Sequence, residues 1–174
     1  MKKTLLCFLT IFSVILAGCS DTVTPEFSDG YLVGMDYGGL SWGEFYDCLD
    51  ARLIICTDHE VLIFMPSAET VHSTKELEQI GTVSLSDEQY SNIERGLDRE
   101  RLYNLRIRSN KDVLDGSSKY LFLYDKDNNI AKKCGCYMPK TKEFIQLYDL
   151  ILDNLPLGEI QEIRKEYVDK LRSM

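Results

Sequence analysis

Two pairs of strand-like segments, each joined by a short polar turn, constrain the fold of this chain more than any other feature. Residues 52–56 and 61–65 are rich in aliphatic side chains and flank the turn sequence Thr57-Asp58-His59-Glu60. Residues 119–124 and 130–138 flank a second turn, which contains two asparagines. Apolar runs on both sides of a polar turn predict β-hairpins, and asparagine tolerates the positive φ that tight turns require. The chain therefore builds an antiparallel sheet.

Helical periodicity appears between and after these hairpins. Ser86 and Gln89 have the spacing of a capping box, and Tyr90, Ile93 and Leu97 follow on one face. Thr141 can cap a later helix. Its apolar stripe, and a second one beyond Pro156 and Gly158, comprise Phe144, Leu147, Tyr148, Ile151 and Leu155, then Ile160, Ile163, Tyr167 and Leu171.

Further strands are expected at residues 31–37, 80–85 and 102–107. The order of strands, helix, strands and helices indicates an α+β fold. We expect a single domain with an antiparallel sheet of about five strands and helices packed on one face. Since no repeat and no second linker is visible, this domain is expected to occupy residues 31–174.

The first nineteen residues form a different kind of segment. Lys2 and Lys3 precede an uncharged stretch at residues 5–17, and small residues follow at Ala17 and Gly18. This pattern is typical of a secretory signal peptide. Thirteen helical residues would cover roughly 20 Å, which is short of the ~30 Å hydrocarbon core of a bilayer, so a membrane-spanning helix is disfavoured.

The sequence Leu16-Ala17-Gly18-Cys19 resembles the lipobox of bacterial lipoproteins. The resemblance implies cleavage before Cys19 and a diacylglyceryl group on its thiol, with further acylation, such as palmitate, at the new amino terminus. It also implies an extracytoplasmic protein, anchored in the cell membrane or outer membrane, with residues 19–30 as a tether. In element order alone, residues 50–155 loosely resemble small uncharacterised lipoprotein domains, and this transfers no site.

The charge of the chain limits its partners. The formal net charge is −8, and removal of residues 1–18 takes away only Lys2 and Lys3, which leaves −10. Nucleic-acid binding requires basic surfaces, so a nucleic-acid partner is not expected. Apart from lipid on Cys19, no cofactor is expected.

Four cysteines remain beyond the leader and Cys19: Cys48, Cys56, Cys134 and Cys136. In an exported protein an even number of cysteines favours disulfides, and three pairings are possible. A bond between Cys134 and Cys136 would close a strained ring, so bridges from the Cys48/Cys56 segment to the Cys134/Cys136 segment are preferred. A zinc site is disfavoured by the spacing, and no Cys-x-x-Cys is present. Simple burial of Cys56 as an apolar residue is the remaining alternative.

Residues 30–46 combine five glycines with several aromatic side chains. Tyr37, Trp42, Phe45 and Tyr46 are candidate ligand-binding residues, because aromatic side chains anchor protein and carbohydrate ligands. The alternative is that these rings pack into the core.

The sequence contains no clear catalytic motif. Asp58-His59 is interpreted as a solvated turn. In residues 125–136 the EF-hand pattern fails, because Ile130 stands where the loop needs glycine and Cys136 where it needs glutamate. No catalytic residue or metal ligand is assigned, and whether the protein is an enzyme stays open. We expect a membrane-anchored surface lipoprotein that acts as a non-catalytic binding module. The alternatives are a cell-envelope hydrolase and an inhibitor or immunity-type lipoprotein.

Overall fold

A six-stranded antiparallel sheet organises the chain in the computed structural model, which describes residues 24–38, 49–67, 77–110 and 117–173. The strands are β1 (Tyr31–Tyr37), β2 (Ala51–Cys56), β3 (Glu60–Pro66), β4 (Leu77–Ser84), β5 (Ser118–Tyr124) and β6 (Ile130–Tyr137). Their spatial order is β4-β3-β2-β1-β5-β6. The predicted α+β class with one antiparallel sheet is confirmed, with six strands instead of about five.

Four helices accompany the sheet: α1 (Asp87–Gly96), α2 (Arg99–Asn104), α3 (Lys142–Asp153) and α4 (Leu157–Arg172). The capping box at Ser86 is present, with both reciprocal hydrogen bonds to Gln89. The strand expected at residues 102–107 is wrong, because this segment begins inside α2. Asp98 caps that helix by accepting a hydrogen bond from the backbone amide of Arg101, and Leu102 is its buried residue.

The helices cover one face of the sheet, as predicted. The main core combines strand residues such as Leu53, Ile63 and Leu121 with helix residues such as Ile93 and Phe144. A second, smaller cluster lies on the other face. Its buried members all come from strands: Ile54, Cys56, Phe122 and Tyr124. Since side chains alternate along a strand, adjacent residues such as Leu53 and Ile54 enter different clusters.

The folded domain begins inside the predicted tether, before β1. Ser28 is fully buried, and its Oγ donates a hydrogen bond to Asn128 and accepts one from the amide of Tyr31. Its own amide donates to the carbonyl oxygen of Tyr124. Phe27 forms an isolated antiparallel bridge with Asp125. The start of the domain is therefore fastened to the turn between β5 and β6.

Both predicted hairpin turns are present, and each uses a residue with positive φ. Asn128 has φ 62° in the β5–β6 turn, as expected for asparagine. His59 has φ 71° in the β2–β3 turn. The sequence of this turn contains no asparagine or glycine that would have predicted a positive φ. In the β5–β6 turn Asp125 Oδ1 accepts hydrogen bonds from the amides of Asp127 and Asn129, which confirms the reading of this acidic segment as a turn.

We expect Gly135→Ala to lower the free energy of unfolding by about 2–4 kcal/mol. Gly135 has φ 138°, and a Cβ there would overlap the backbone carbonyl oxygen of Lys119. Gly158→Ala is the control, because a Cβ at Gly158 meets nothing within 4 Å. In the first turn of α4 this change should raise stability slightly. Urea unfolding of the chain without residues 1–18 measures both, and equal effects would contradict the prediction.

Candidate functional site

Four partly buried charged side chains lie at one end of the sheet, where β1 ends and β2 begins, and the exposed Lys133, which pairs with Phe122 in mid-sheet, extends its amine over Tyr120. We call this the charged end and define it by Asp36, Arg52, Lys119, Lys133 and Arg164. The opposite end, with the β2–β3 turn and the β5–β6 turn, is called the turn end. Strong charge in a partly apolar setting is costly, so such clusters are candidates for functional sites.

An ion pair lies on the sheet face that the helices leave uncovered. Arg52 Nε is 3.1 Å from Asp36 Oδ1, and both side chains are largely shielded from solvent. The guanidinium carbon of Arg52 also lies 4.0 Å from the ring centroid of Phe122. Desolvation raises the pKa of Asp36, and the neighbouring Arg52 lowers it only in part. Burial therefore disfavours the ionised form of Asp36, and the ion pair with Arg52 offsets this penalty in part.

A second guanidinium lies on the helix-covered side of the same end. Arg164 Nη2 donates a hydrogen bond to the carbonyl oxygen of Leu49 at 2.8 Å, and its guanidinium carbon is 5.1 Å from the Tyr37 ring centroid. Burial lowers the pKa of Arg164. Its Nε is buried without a hydrogen-bond partner among the described residues. Gln161 completes the contact by donating to the Tyr37 hydroxyl.

Two lysines extend the same arrangement. Lys119 Nζ is 2.8 Å from Asp149 Oδ1 and 4.7 Å from the ring centroid of Tyr148. The Tyr148 hydroxyl donates to the backbone carbonyl of Asp36, and burial raises the pKa of Tyr148 to about 12. Lys133 Nζ lies 3.7 Å from the ring centroid of Tyr120.

One pattern therefore repeats around the charged end: a cation lies over an aromatic ring. The pairs are Arg52 with Phe122, Arg164 with Tyr37, Lys119 with Tyr148 and Lys133 with Tyr120. Such pairs contribute about 0.5–2 kcal/mol each and hold the cation in a fixed position. The charged groups that act on Asp36 are Arg52, Lys133 and Asp50, and the Tyr148 hydroxyl donates to its backbone carbonyl. The arrangement suits recognition of a ligand.

Gly34 leaves room for the Tyr124 side chain on the sheet face that the helices do not cover. It lies beside Ile54 and Phe122 in the sheet, and a Cβ at Gly34 would come 2.6 Å from the hydroxyl of Tyr124. The Tyr124 side chain therefore lies across the glycine. Its hydroxyl is buried without a hydrogen-bond partner among the described residues, and burial raises its pKa to about 12.

Of the predicted ligand-binding residues, Tyr37 lies at the charged end, half-buried beneath Arg164. Trp42, Phe45 and Tyr46 lie outside the described residues, as do Cys19 and Cys48. The sequence interpretation missed Asp36, Arg52 and Arg164. A visible signal was available for the first two, because each is a lone charge within an otherwise apolar strand segment.

The described cysteines, Cys56, Cys134 and Cys136, are free thiols. Cys56 belongs to the second cluster and Cys134 to the main core, so the sheet lies between them. Cys136 follows Cys134 by two residues and pairs with Lys119, whose amine contacts α3. A bridge from Cys56 to either thiol is therefore not formed. Burial raises the pKa of Cys56 and of Cys134 to about 11, which makes both poor nucleophiles.

Three further observations on the described residues concern places away from the charged end. His59 stacks on Tyr90, with ring centroids 4.0 Å apart, and its Nδ1 is 3.3 Å from the exposed carboxylate of Asp87. No group of three or more His, Cys, Asp or Glu side chains within the described residues is placed to hold a metal ion. An open groove of about 330 Å³ lies between α2 and α3, with leucines in its lining and the Arg101–Glu143 ion pair at its rim.

Comparison of the chain with protein-family models, curated proteins and solved structures finds no match. Within the described ranges, no helix has the length and apolar character needed to cross a bilayer.

We expect Arg52→Met to lower the free energy of unfolding by about 1–3 kcal/mol at pH 7, since it leaves the Asp36 carboxylate unpaired. Methionine keeps an apolar stem over Phe122. In the variant the pKa of Asp36 rises further, so the loss should shrink as the pH falls through that raised value and the carboxyl group becomes neutral.

The matched control is the double variant Asp36→Asn/Arg52→Met, which has no carboxylate to leave unpaired. Urea unfolding at pH 7 and pH 5 compares the two. A loss in Arg52→Met that does not depend on pH would rule out the unpaired carboxylate as its cause.

Proposed function

We propose that this protein is a bacterial envelope lipoprotein, anchored by diacylglyceryl lipid on Cys19, whose domain is a non-catalytic binding module. The first part rests on the basic start, the apolar stretch and the lipobox-like Leu16-Ala17-Gly18-Cys19. Two acyl chains suffice for stable anchoring, because each buried methylene contributes about 0.8 kcal/mol.

The binding role rests on one observation, the four cation–ring pairs at the charged end. In these pairs a cation already lies over one ring face, which leaves less aromatic surface for a sugar to stack on. Of the four cations Lys133 is exposed, so its amine is within reach of a partner. A protein partner with acidic side chains fits this surface better than a carbohydrate, because carboxylates pair with positioned guanidinium and ammonium groups.

Replacement of Cys19 by alanine tests the anchor. We expect the wild-type chain in the membrane fraction, with an intact mass that matches cleavage before Cys19 plus acyl chains. Cys19→Ala should lack the lipid mass and leave the membrane fraction. If the variant stays in the membrane fraction with its leader removed, the proposed anchoring is wrong.

Reversal of one exposed lysine tests the binding surface. We expect Lys133→Glu, at the charged end, to weaken cross-linking of the anchored protein to its protein partner at least about tenfold, a typical cost of a mismatched charge in an interface. Lys126→Glu is the matched control, since Lys126 is also exposed but lies at the turn end, where it pairs with Glu26.

The comparison is made in intact cells by counting cross-linked species for both variants and the wild type. Equal loss in the two variants would show a general charge effect. No loss in either would show that the partner does not use the charged end.

A further inference from the structure

We propose that the sheet face that the helices leave uncovered is the contact surface for a second copy of this chain. We call it the uncovered face and define it by Ile54, Cys56, Phe122 and Tyr124, with the residues that alternate onto the same side of the strands. The inference rests on the proposed binding role and names one partner for this face, a copy related by two-fold symmetry.

The strands β2 and β3 are apolar on both sides. In β2 Leu53 enters the main core and Ile54 the second cluster. In β3 Ile63 enters the main core, and Leu62 and Phe64 pack against the second cluster. An antiparallel sheet with one face in water usually alternates apolar and polar side chains. Strands that are apolar on both sides therefore indicate that the second face is also covered by protein.

Exposed apolar side chains lie on the same face. Within the described residues, the exposed large apolar side chains are Ile130 and Tyr137 of β6. Ile130 pairs with Tyr124 of the second cluster. Tyr137 pairs with Ser118, which alternates onto the same side of β5 as Phe122. Exposed apolar groups beside an apolar cluster are typical of a protein interface.

The uncovered face is electrically balanced, although the chain is acidic. The charged residues that the strands place on it are Asp36, Glu60, Arg52 and Lys133, two of each sign. The formal net charge of the chain is −8, so the acidic excess lies elsewhere. Two acidic molecules repel each other least where balanced faces meet. This balance favours a second copy as the occupant.

The ion pair between Asp36 and Arg52 lies on the mid-line of this face. β1 and β2 are the two middle strands of the six, and Asp36 pairs with Arg52 across them. The ion pair uses Arg52 Nε and Asp36 Oδ1, and neither side chain makes another hydrogen bond with a described residue. Both side chains keep part of their surface exposed. The terminal nitrogens of Arg52 and the second carboxylate oxygen of Asp36 are therefore available to a further partner.

A two-fold axis along this mid-line, parallel to the strands, supplies that partner. It places β2 of one copy over β1 of the other, so that Arg52 faces the second copy's Asp36 and Asp36 faces its Arg52. Packed sheets lie about 10 Å apart, a gap that an arginine and an aspartate can span together. By the same symmetry β3 lies over β5. Phe64, which pairs with Arg52, then comes close to the second copy's Tyr120.

The area of the face is sufficient for a dimer. Six strands about 4.8 Å apart and about seven residues long give a flat area of roughly 650 Å² per copy, or about 1,300 Å² for the pair. Specific protein interfaces bury about 1,200–2,000 Å² in total. Contact over the whole face therefore reaches the size of a specific interface.

Photo-cross-linking between two differently tagged full-length copies, in the cells that make them, tests the contact. In one copy benzoylphenylalanine, which forms a covalent link to nearby groups on illumination, replaces Phe64. We expect a product that contains both tags, with the link in β5 of the second copy, at or beside Tyr120. A link that stays within one chain, joins only another protein or falls outside β5 would overturn the proposal, as would the absence of any link.

Single charge reversals test the mid-line contact. Arg52→Glu places an acid opposite the second copy's Asp36, and Asp36→Lys places a cation opposite its Arg52. Each variant alone should therefore lower the yield of the product with both tags about tenfold or more. One copy with Arg52→Glu and one with Asp36→Lys complement each other, so their mixture should restore most of the yield. A mixture that links no better than either variant alone, with both folded by circular dichroism, would contradict the arrangement.

Lys119→Glu is the matched control, because it breaks an ion pair with Asp149 on the helix-covered side of the same end. Its yield should equal that of the wild type. An equal loss in Lys119→Glu and Arg52→Glu would show a general charge effect and overturn the mid-line contact. The comparison of Lys133→Glu with Lys126→Glu tests the binding role itself, whichever protein is the partner, so the two failures can be told apart.

Discussion

Every strand of this sheet has side chains on two faces, but helices cover only one of them. On the covered face the strand residues Leu53 and Ile63 form one closely packed core with helix residues such as Ile93 and Phe144. On the other face the buried cluster of Ile54, Cys56, Phe122 and Tyr124 draws only on strands. The guanidinium of Arg52 and the amine of Lys133, from neighbouring strands, lie over the ring of Phe122. This asymmetry underlies the other properties of the domain.

The positions of the cations at the charged end follow from this asymmetry between the two faces of the sheet. A cation used as a cover for an apolar cluster is held at a fixed position, which is the requirement for recognition of an anionic group. Asp36 compensates Arg52 but remains in an environment that raises its pKa. Replacement of such a pair by apolar residues is often neutral or stabilising. Stability alone therefore does not explain why the chain places these charges at the charged end.

Local sequence patterns predicted most of the helices and strands. They could not predict which strands pair with each other across long stretches of sequence. The hairpins and the helix at Ser86 each have a signal within a few residues, namely turn composition and capping geometry. The pairing of β1 with β5, through Gly34 and Phe122, joins residues far apart in sequence and determines which side chains share a face. For the same reason, spacing could not reveal that the sheet separates Cys56 from Cys134. Residues 102–107 were predicted as a strand because an apolar run that is too short to show a periodicity fits a helix and a strand equally well.

The burial of Ser28 has a mechanical consequence. A force on the proposed lipid anchor would reach the described domain first at Glu26, Phe27 and Ser28, whose backbone contacts lead to the β5–β6 turn. The amide of Ser28, its hydroxyl and the guanidinium of Arg99 share that load before it passes into β1. The charged end lies at the other extremity of the strand. Under the proposed anchoring, these contacts at the β5–β6 turn would take up a pull on the chain before it reached the cation–ring pairs of the charged end.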